Sequence, residues 1–238
     1  MKILKNLVLL IFVVGLLWES FLLTFSTVYP IAAQVRQAAA TKIHARHSSY
    51  MKYGDIPGLY KQATIATEDR RFYEHFGIDI MGVGRSLFTD IQNRQPTEGG
   101  STITQQLIRN TVLTQERTLS RKVKEMILAI ALERFMSKQE ILELYLNVIY
   151  FGHGAFGVEQ ASLVYFGKPV TSLSLAEISL LAGLPQAPTV YDPYKAMGLA
   201  KQRQQQVLSN LVQSHYITPE EAKQAANTPI RLANNKGL

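Results

Sequence analysis

Leu7 to Trp18 is an unbroken run of apolar side chains, and it divides the chain into a part suited to lipid and a part that is not. Glu19 and Ser20 interrupt the run, and Phe21 to Val28 resumes it. The twelve residues 7–18, as a helix, cover ~18 Å, short of a hydrocarbon core of ~30 Å. Leu7 to Val28 spans that core with one carboxyl inside it, a cost on the order of 3 kcal/mol that the surrounding apolar residues offset. Lys2, Lys5 and the terminal amine precede the run, which keeps the N-terminus in the cytoplasm and places the rest outside. The rival reading is a cleaved signal peptide with residues 7–18 as its apolar stretch and Ala32-Ala33 as the nearest small-residue site. Both readings export the chain. The expected organisation is a cytoplasmic stub and transmembrane anchor over 1–33, a connector over 34–60, read as a stalk plus an entry strand or turn, and one domain over 61–238.

The 238 residues allow a real hydrophobic core, and an apolar share of 47% sets the chain apart from disordered sequences. A net charge of +7 suits a phosphate-rich partner: nucleic acid, an anionic membrane surface or a pyrophosphate-bearing lipid. There are no cysteines, so disulfide frameworks and Cys-based zinc sites are excluded. Nucleic acid is the weakest of the candidate partners, because the chain is exported and carries no recognition motif.

Beyond the connector, helical periodicity dominates. Helices are expected over 62–75, 80–91, 101–110, 118–135, 138–149, 175–184, 199–213 and 219–226. Thr102 with Gln105 matches a capping box, and Thr218-Pro219 opens the last helix. Met126 to Leu132 is apolar on nearly every face, as a buried central helix would be. Gly152, Gly154 and Gly157 mark a turn-rich stretch. Strand signals are few and short, so the expected fold is mainly α.

Five segments could carry chemistry. Glu68-Asp69-Arg70-Arg71-Phe72, followed by His75 and Gly77, reads either as a solvated helix face or as a site in which one carboxylate acts as a base. His75 has no matching ligand set and reads as a packing or hydrogen-bonding histidine. Gly99-Gly100-Ser101-Thr102-Ile103-Thr104-Gln105-Gln106 leads into Arg109-Asn110. Paired glycines before a capped helix form a natural anion site, and Thr102, Gln106 and Arg109 share one helix face. The same segment without a ligand is a loop and a cap. Arg117, Arg121, Lys122, Lys124 and Glu125 form either a cationic patch with a second carboxylate or, for Arg121 and Glu125, an ordinary intrahelical pair worth about 0.3–0.5 kcal/mol. Tyr145-Leu146-Asn147 followed by Tyr150-Phe151-Gly152, and Leu181 to Pro188, are explained by core packing, a glycine turn and a helix stop.

In this order, the five segments resemble the signature blocks of the family-51 glycosyltransferases, the peptidoglycan polymerases found as monofunctional enzymes and as the front half of class A penicillin-binding proteins. The likeness covers about residues 55 to 225. It implies a lysozyme-like helical domain behind one transmembrane helix, in the bacterial cell membrane with its catalytic part outside. It implies lipid II and the growing lipid-linked glycan as substrates, the membrane and other cell-wall synthesis or division proteins as partners, and moenomycin as an inhibitor. By motif position, Glu68 is the catalytic base and Glu125 the second key carboxylate. Asp69, Phe72, His75, Thr102, Gln106, Arg109, Asn110, Arg117, Arg121, Lys122 and Lys124 line the substrate side. The stretch 80–95 matches a membrane-facing segment beside the cleft. Arg109 stands where the family usually has Lys, which keeps the charge and permits bidentate phosphate binding. No transpeptidase domain follows before Leu238, so the expected likeness is to the monofunctional type, the alternative being the front piece of a bifunctional one. No cofactor is required; Mg²⁺ or another divalent cation beside the pyrophosphate is the one addition considered.

The chemistry fits this residue set. A glycosidase needs a carboxylic acid to protonate its leaving oxygen, whereas pyrophosphate leaves as an anion and needs cations. A lytic hydrolase of the same broad fold and a non-catalytic binder of lipid-linked precursors remain the rival readings.

Overall fold

The computed structural model describes residues 14–15, 30–46, 48–82, 84, 100–114, 116 and 118–234. Apart from Val14 and Gly15, the expected span Leu7–Val28 lies outside these residues, as do Arg117 and all of the expected helix 80–91 except positions 80–82 and 84. Among the described residues no helix is long and apolar enough to cross a membrane.

The chain is mainly helical, as its periodicity predicts. It begins with α1 (Ile31–Ala45), α2 (Gly58–Glu68), α3 (Ile103–Thr111), α4 (Leu119–Phe135) and α5 (Lys138–Val148). A two-stranded antiparallel sheet follows, β1 (Tyr150–Gly152) and β2 (Ala155–Phe156), with Tyr150 opposite Phe156. Then come α6 (Val158–Phe166), α7 (Leu175–Gly183), α8 (Met197–Gln213) and α9 (Pro219–Asn227). Side-chain caps set several starts: Thr102 and Gln105 form the expected capping box on α3, Thr118 caps α4, and Ser137 caps α5.

Two packed groups result. Helices α2, α7 and α8 lie against one another, while α3 packs on α4 and α5, with α1 laid across α5. Fully buried Tyr60, Phe72, Leu107, Leu132, Ile141 and Tyr145 belong to one continuous core.

Three local expectations change. The connector expected over 34–60 is largely helix: α1 buries Ile31, Ala32, Val35 and Ala39 in the core, so its apolar residues at spacings of three and four outweigh its polar composition. The helix expected to reach residue 75 ends at Glu68, and residues 70–74 form turns. Helix α4 is not buried all round, because Met126 and Ile127 are exposed while Leu128, Ala129, Ala131 and Leu132 face inward. Helix α6 follows directly after the glycine turn. Gly157 has φ +84°, and a Cβ there would stand 2.8 Å from the Asn147 carbonyl oxygen, so glycine permits the turn that starts α6.

Candidate active site

The two helical groups meet at Glu68, the last residue of α2. Its Oε2 accepts a hydrogen bond from Gln106 Nε2 of α3 at 2.8 Å. Tyr145 Oη of α5 donates to Gln106 Oε1 at 3.3 Å, which turns the amide so that its NH₂ faces the carboxylate. Arg203 of α8 brings Nη2 to 3.8 Å from Glu68 Oε1. That oxygen is buried and accepts no hydrogen bond, while the side chain as a whole stays 9% exposed.

Burial pushes the Glu68 carboxyl above the ordinary value of 4.5; the Gln106 hydrogen bond and the charges of Arg203 and Arg109 pull it back, and Asp69 adds to the rise. Desolvation wins this balance, so the group is a stronger base than a free glutamate.

Arg203 carries no sequence motif. Its signal lay in the pattern of α8, where Ala200, Val207 and Leu211 form a buried stripe and Arg203 with Gln204 occupies the core-facing turn between them. A cation in that position must be paired. Arg203 also donates to the Gly183 carbonyl at the end of α7, at 3.3 Å.

The glycine-rich segment behaves as its capping signature predicts. Thr102 is buried, accepts from Gln105 N, and donates through Oγ1 to the Gly77 carbonyl at 2.6 Å. Arg109 is half-buried and near enough to act on Glu68. Asn110 donates to the Gln106 carbonyl, and Lys42 of α1 donates to the Asn110 carbonyl.

Glu125 is fully buried, and its two oxygens are taken: Oε2 by Arg121 Nη1 at 2.5 Å and Oε1 by Lys122 Nζ. Lys122 also reaches Ser101 Oγ at 2.9 Å, tying α4 to the loop before α3. The carboxylate thus anchors two cations at that loop, including the intrahelical pair the spacing allowed. Lys124 is exposed on the same helix.

Asp69, Phe72 and His75 turn inward and are buried. Asp69 accepts from His75 Nε2 and from Ile103 N at the start of α3. These side chains support the loop after Glu68. Among the described residues no cluster of three or more His, Asp or Glu could hold a metal ion. A cavity of about 540 Å³ bounded by Arg36, Ile43, His44, Tyr50, Glu140 and Glu143 contains none of the expected site residues.

The model of a family described as Transglycosylase matches residues 35–212. The chain belongs to the transglycosylase family. The resemblance drawn from the five motifs is therefore borne out, and the match takes in α1 from residue 35. Penicillin-binding protein 1A of Aquifex aeolicus is 49% identical over 183 residues, covering 77% of this transglycosylase and 25% of the relative. Penicillin-binding protein 1F of Bacillus subtilis is 43% identical over 190 residues, covering 80% and 27%. The transglycosylase spans about a quarter of the length of these curated relatives. The crystal structure of penicillin-binding protein 1A from Haemophilus influenzae matches 78% of this chain and 18% of its own, at 26% identity and a TM-score of 0.49.

Proposed function

We propose that this transglycosylase is a peptidoglycan glycosyltransferase that joins lipid II into β-1,4-linked glycan and releases undecaprenyl pyrophosphate. The observation that carries the reading is Glu68, a carboxylate of raised basicity with one oxygen held by Gln106 and the other accepting no hydrogen bond.

In this mechanism Glu68 takes the proton from the acceptor 4-hydroxyl. The oxygen attacks the anomeric carbon of the donor from the face opposite the pyrophosphate, and the α linkage inverts to β. The departing pyrophosphate carries the negative charge, and cations along α3 and α4 stabilise it: Arg109, Arg121 and Lys122, with the exposed Lys124 on the same helix. Arg121 and Lys122 come preset by Glu125, so they need little reorganisation when charge develops. Glu125 therefore acts on the leaving-group side. The buried trio Asp69, Phe72 and His75 supports the base. No step is assigned to a divalent cation; the arginines and lysines named above hold the departing pyrophosphate.

The lipid substrate places the reaction at the outer face of the bacterial cell membrane, with residues 7–28 as the anchor and the cell-wall synthesis machinery as company. A lysozyme-like domain with a raised glutamate would also serve a lytic hydrolase, which needs a protonated acid. The cations around Glu68 favour transfer.

The test is to incubate the full chain with lipid II and, separately, with finished cell wall. Polymer formed from lipid II, blocked by moenomycin and lost in Glu68→Gln, supports the proposal. Release of fragments from finished wall without polymer formation overturns it.

A further inference from the structure

Behind Glu68 lies a second set of buried charges. His75 Nε2 is 2.9 Å from both oxygens of Asp69. A carboxylate only accepts, so Nε2 carries the proton. Nδ1 faces Lys138 Nζ at 3.5 Å and Glu133 Oε1 at 4.0 Å. An ammonium only donates, so Nδ1 is the unprotonated nitrogen. Glu133 is held in turn by Lys138 Nζ at 2.8 Å and Thr104 Oγ1 at 2.5 Å. Lys138 also lies over the Phe72 ring, 4.5 Å from its centre. The side chains of Asp69, His75 and Glu133 are at most 4% exposed, and that of Lys138 is 20% exposed.

We infer that Glu133 and Lys138 are positioning residues for the glycosyl transfer: they lock His75 in the tautomer that donates to Asp69, and Asp69 fixes the start of α3 so that Gln106 meets Glu68. The inference rests on the function proposed above. Its path is continuous. Glu133 orients Lys138, Lys138 donates to Nδ1, and Nε2–H holds Asp69. Asp69 Oδ2 accepts from Ile103 N at 3.0 Å, and one turn further along α3 is Gln106. Asp69 also follows Glu68 directly, so the same carboxylate fixes the backbone at the base.

If Lys138 loses its charge, Glu133 becomes an uncompensated buried carboxylate beside Nδ1. Nδ1 then has no donor, and moving the ring proton from Nε2 to Nδ1 serves Glu133 at the expense of Asp69. The Asp69 clamp then loses its N–H donor, and the alignment of α3 with Glu68 changes. Lys138→Arg keeps the ammonium's role through a guanidinium.

The experiment uses the full chain in detergent, labelled with ¹⁵N-histidine, with His75 assigned from a His75→Gln sample. In the parent protein His75 should show a protonated Nε2 and an acceptor Nδ1 at neutral pH. Lys138→Met should shift His75 toward the Nδ1–H tautomer and lower kcat on lipid II by about tenfold to a hundredfold. KM should stay within about twofold, because no substrate contact is lost. Lys138→Arg should restore the tautomer and most of the rate. The double variant Glu133→Gln/Lys138→Met leaves no unpaired carboxylate, which covers the case in which the single variant does not fold. It should still turn over slowly, because Nδ1 has lost the Lys138 ammonium as its donor. An unchanged His75 spectrum in Lys138→Met, or an unchanged kcat in the double variant, overturns the inference. If the parent protein makes no polymer, the functional reading fails, and the His75 spectra still decide the network.

Discussion

At the residue scale, the balance at Glu68 makes ordered predictions. Its carboxyl is raised in the folded state, so the folded protein favours the protonated form. That preference stabilises the fold below the ordinary value and is lost as pH rises through the raised one. Glu68→Gln mimics the protonated group. It should melt like the parent at low pH and above it at neutral pH, a difference that melting curves across pH will read. Polymerisation should fall by about a hundredfold to ten-thousandfold in the same variant. The opposing contributions can be removed singly. Gln106→Leu and Arg203→Met each delete an interaction that favours the ionised form, so each should move the acidic limb of the rate profile to higher pH. Arg203→Lys should move it less. The motifs made Glu68 and Gln106 legible in the sequence, since both stand in dense polar clusters. Arg203 was hidden because a single arginine in a long helix reads as a solvated side chain until its neighbours are known to be buried.

At the element scale, the join between the residue 69–77 loop and helices α3 and α4 matters most. Gly77 has φ +83°, and a Cβ there would lie 2.5 Å from the Ala129 carbonyl carbon and oxygen, backbone atoms that cannot rotate away. Gly77→Ala should therefore push the loop off α4 and break the Thr102–Gly77 hydrogen bond. Loss of Tm together with activity is the expected result; the melting curve and the lipid II assay check it. Thr102→Ala removes the α3 cap and should cost about 1–2 kcal/mol in denaturant unfolding. The capping box could be read directly from Thr102 and Gln105, because a cap is a local contract between residues three apart. The end of α2 could not, because residues 69–75 keep helical periodicity in sequence while Asp69 bonds His75 and Ile103 across space. Periodicity reports which residues are buried; a bond formed across the fold decides where the helix stops.

At the scale of the whole molecule, the two helical groups are joined where the base sits, so stability and activity share contacts there. Leu132 of α4 is fully buried, and Leu132→Ala should cost about 2–5 kcal/mol in chemical denaturation, with little effect on KM in whatever fraction stays folded. Trimming the chain to begin at residue 47 removes the four buried side chains of α1. At about 1.5–3 kcal/mol for a large aliphatic such as Ile31 or Val35, that loss takes much of a typical domain's stability, and the trimmed protein should aggregate or melt far below the parent. Mainly helical architecture was evident from the sequence, whereas the assignment of α1 was not: its polar residues resemble those of a linker, and only the packing against α5 shows which face is wet.

Because α1 has one side seated in the core and its Lys42 grips α3 at Asn110, it works as a handle rather than a string. From Ile31 to the reaction centre the path runs through packed helices, α1 on α5 and on α3. Whatever turns α1 therefore turns the α3 side of the cleft with it.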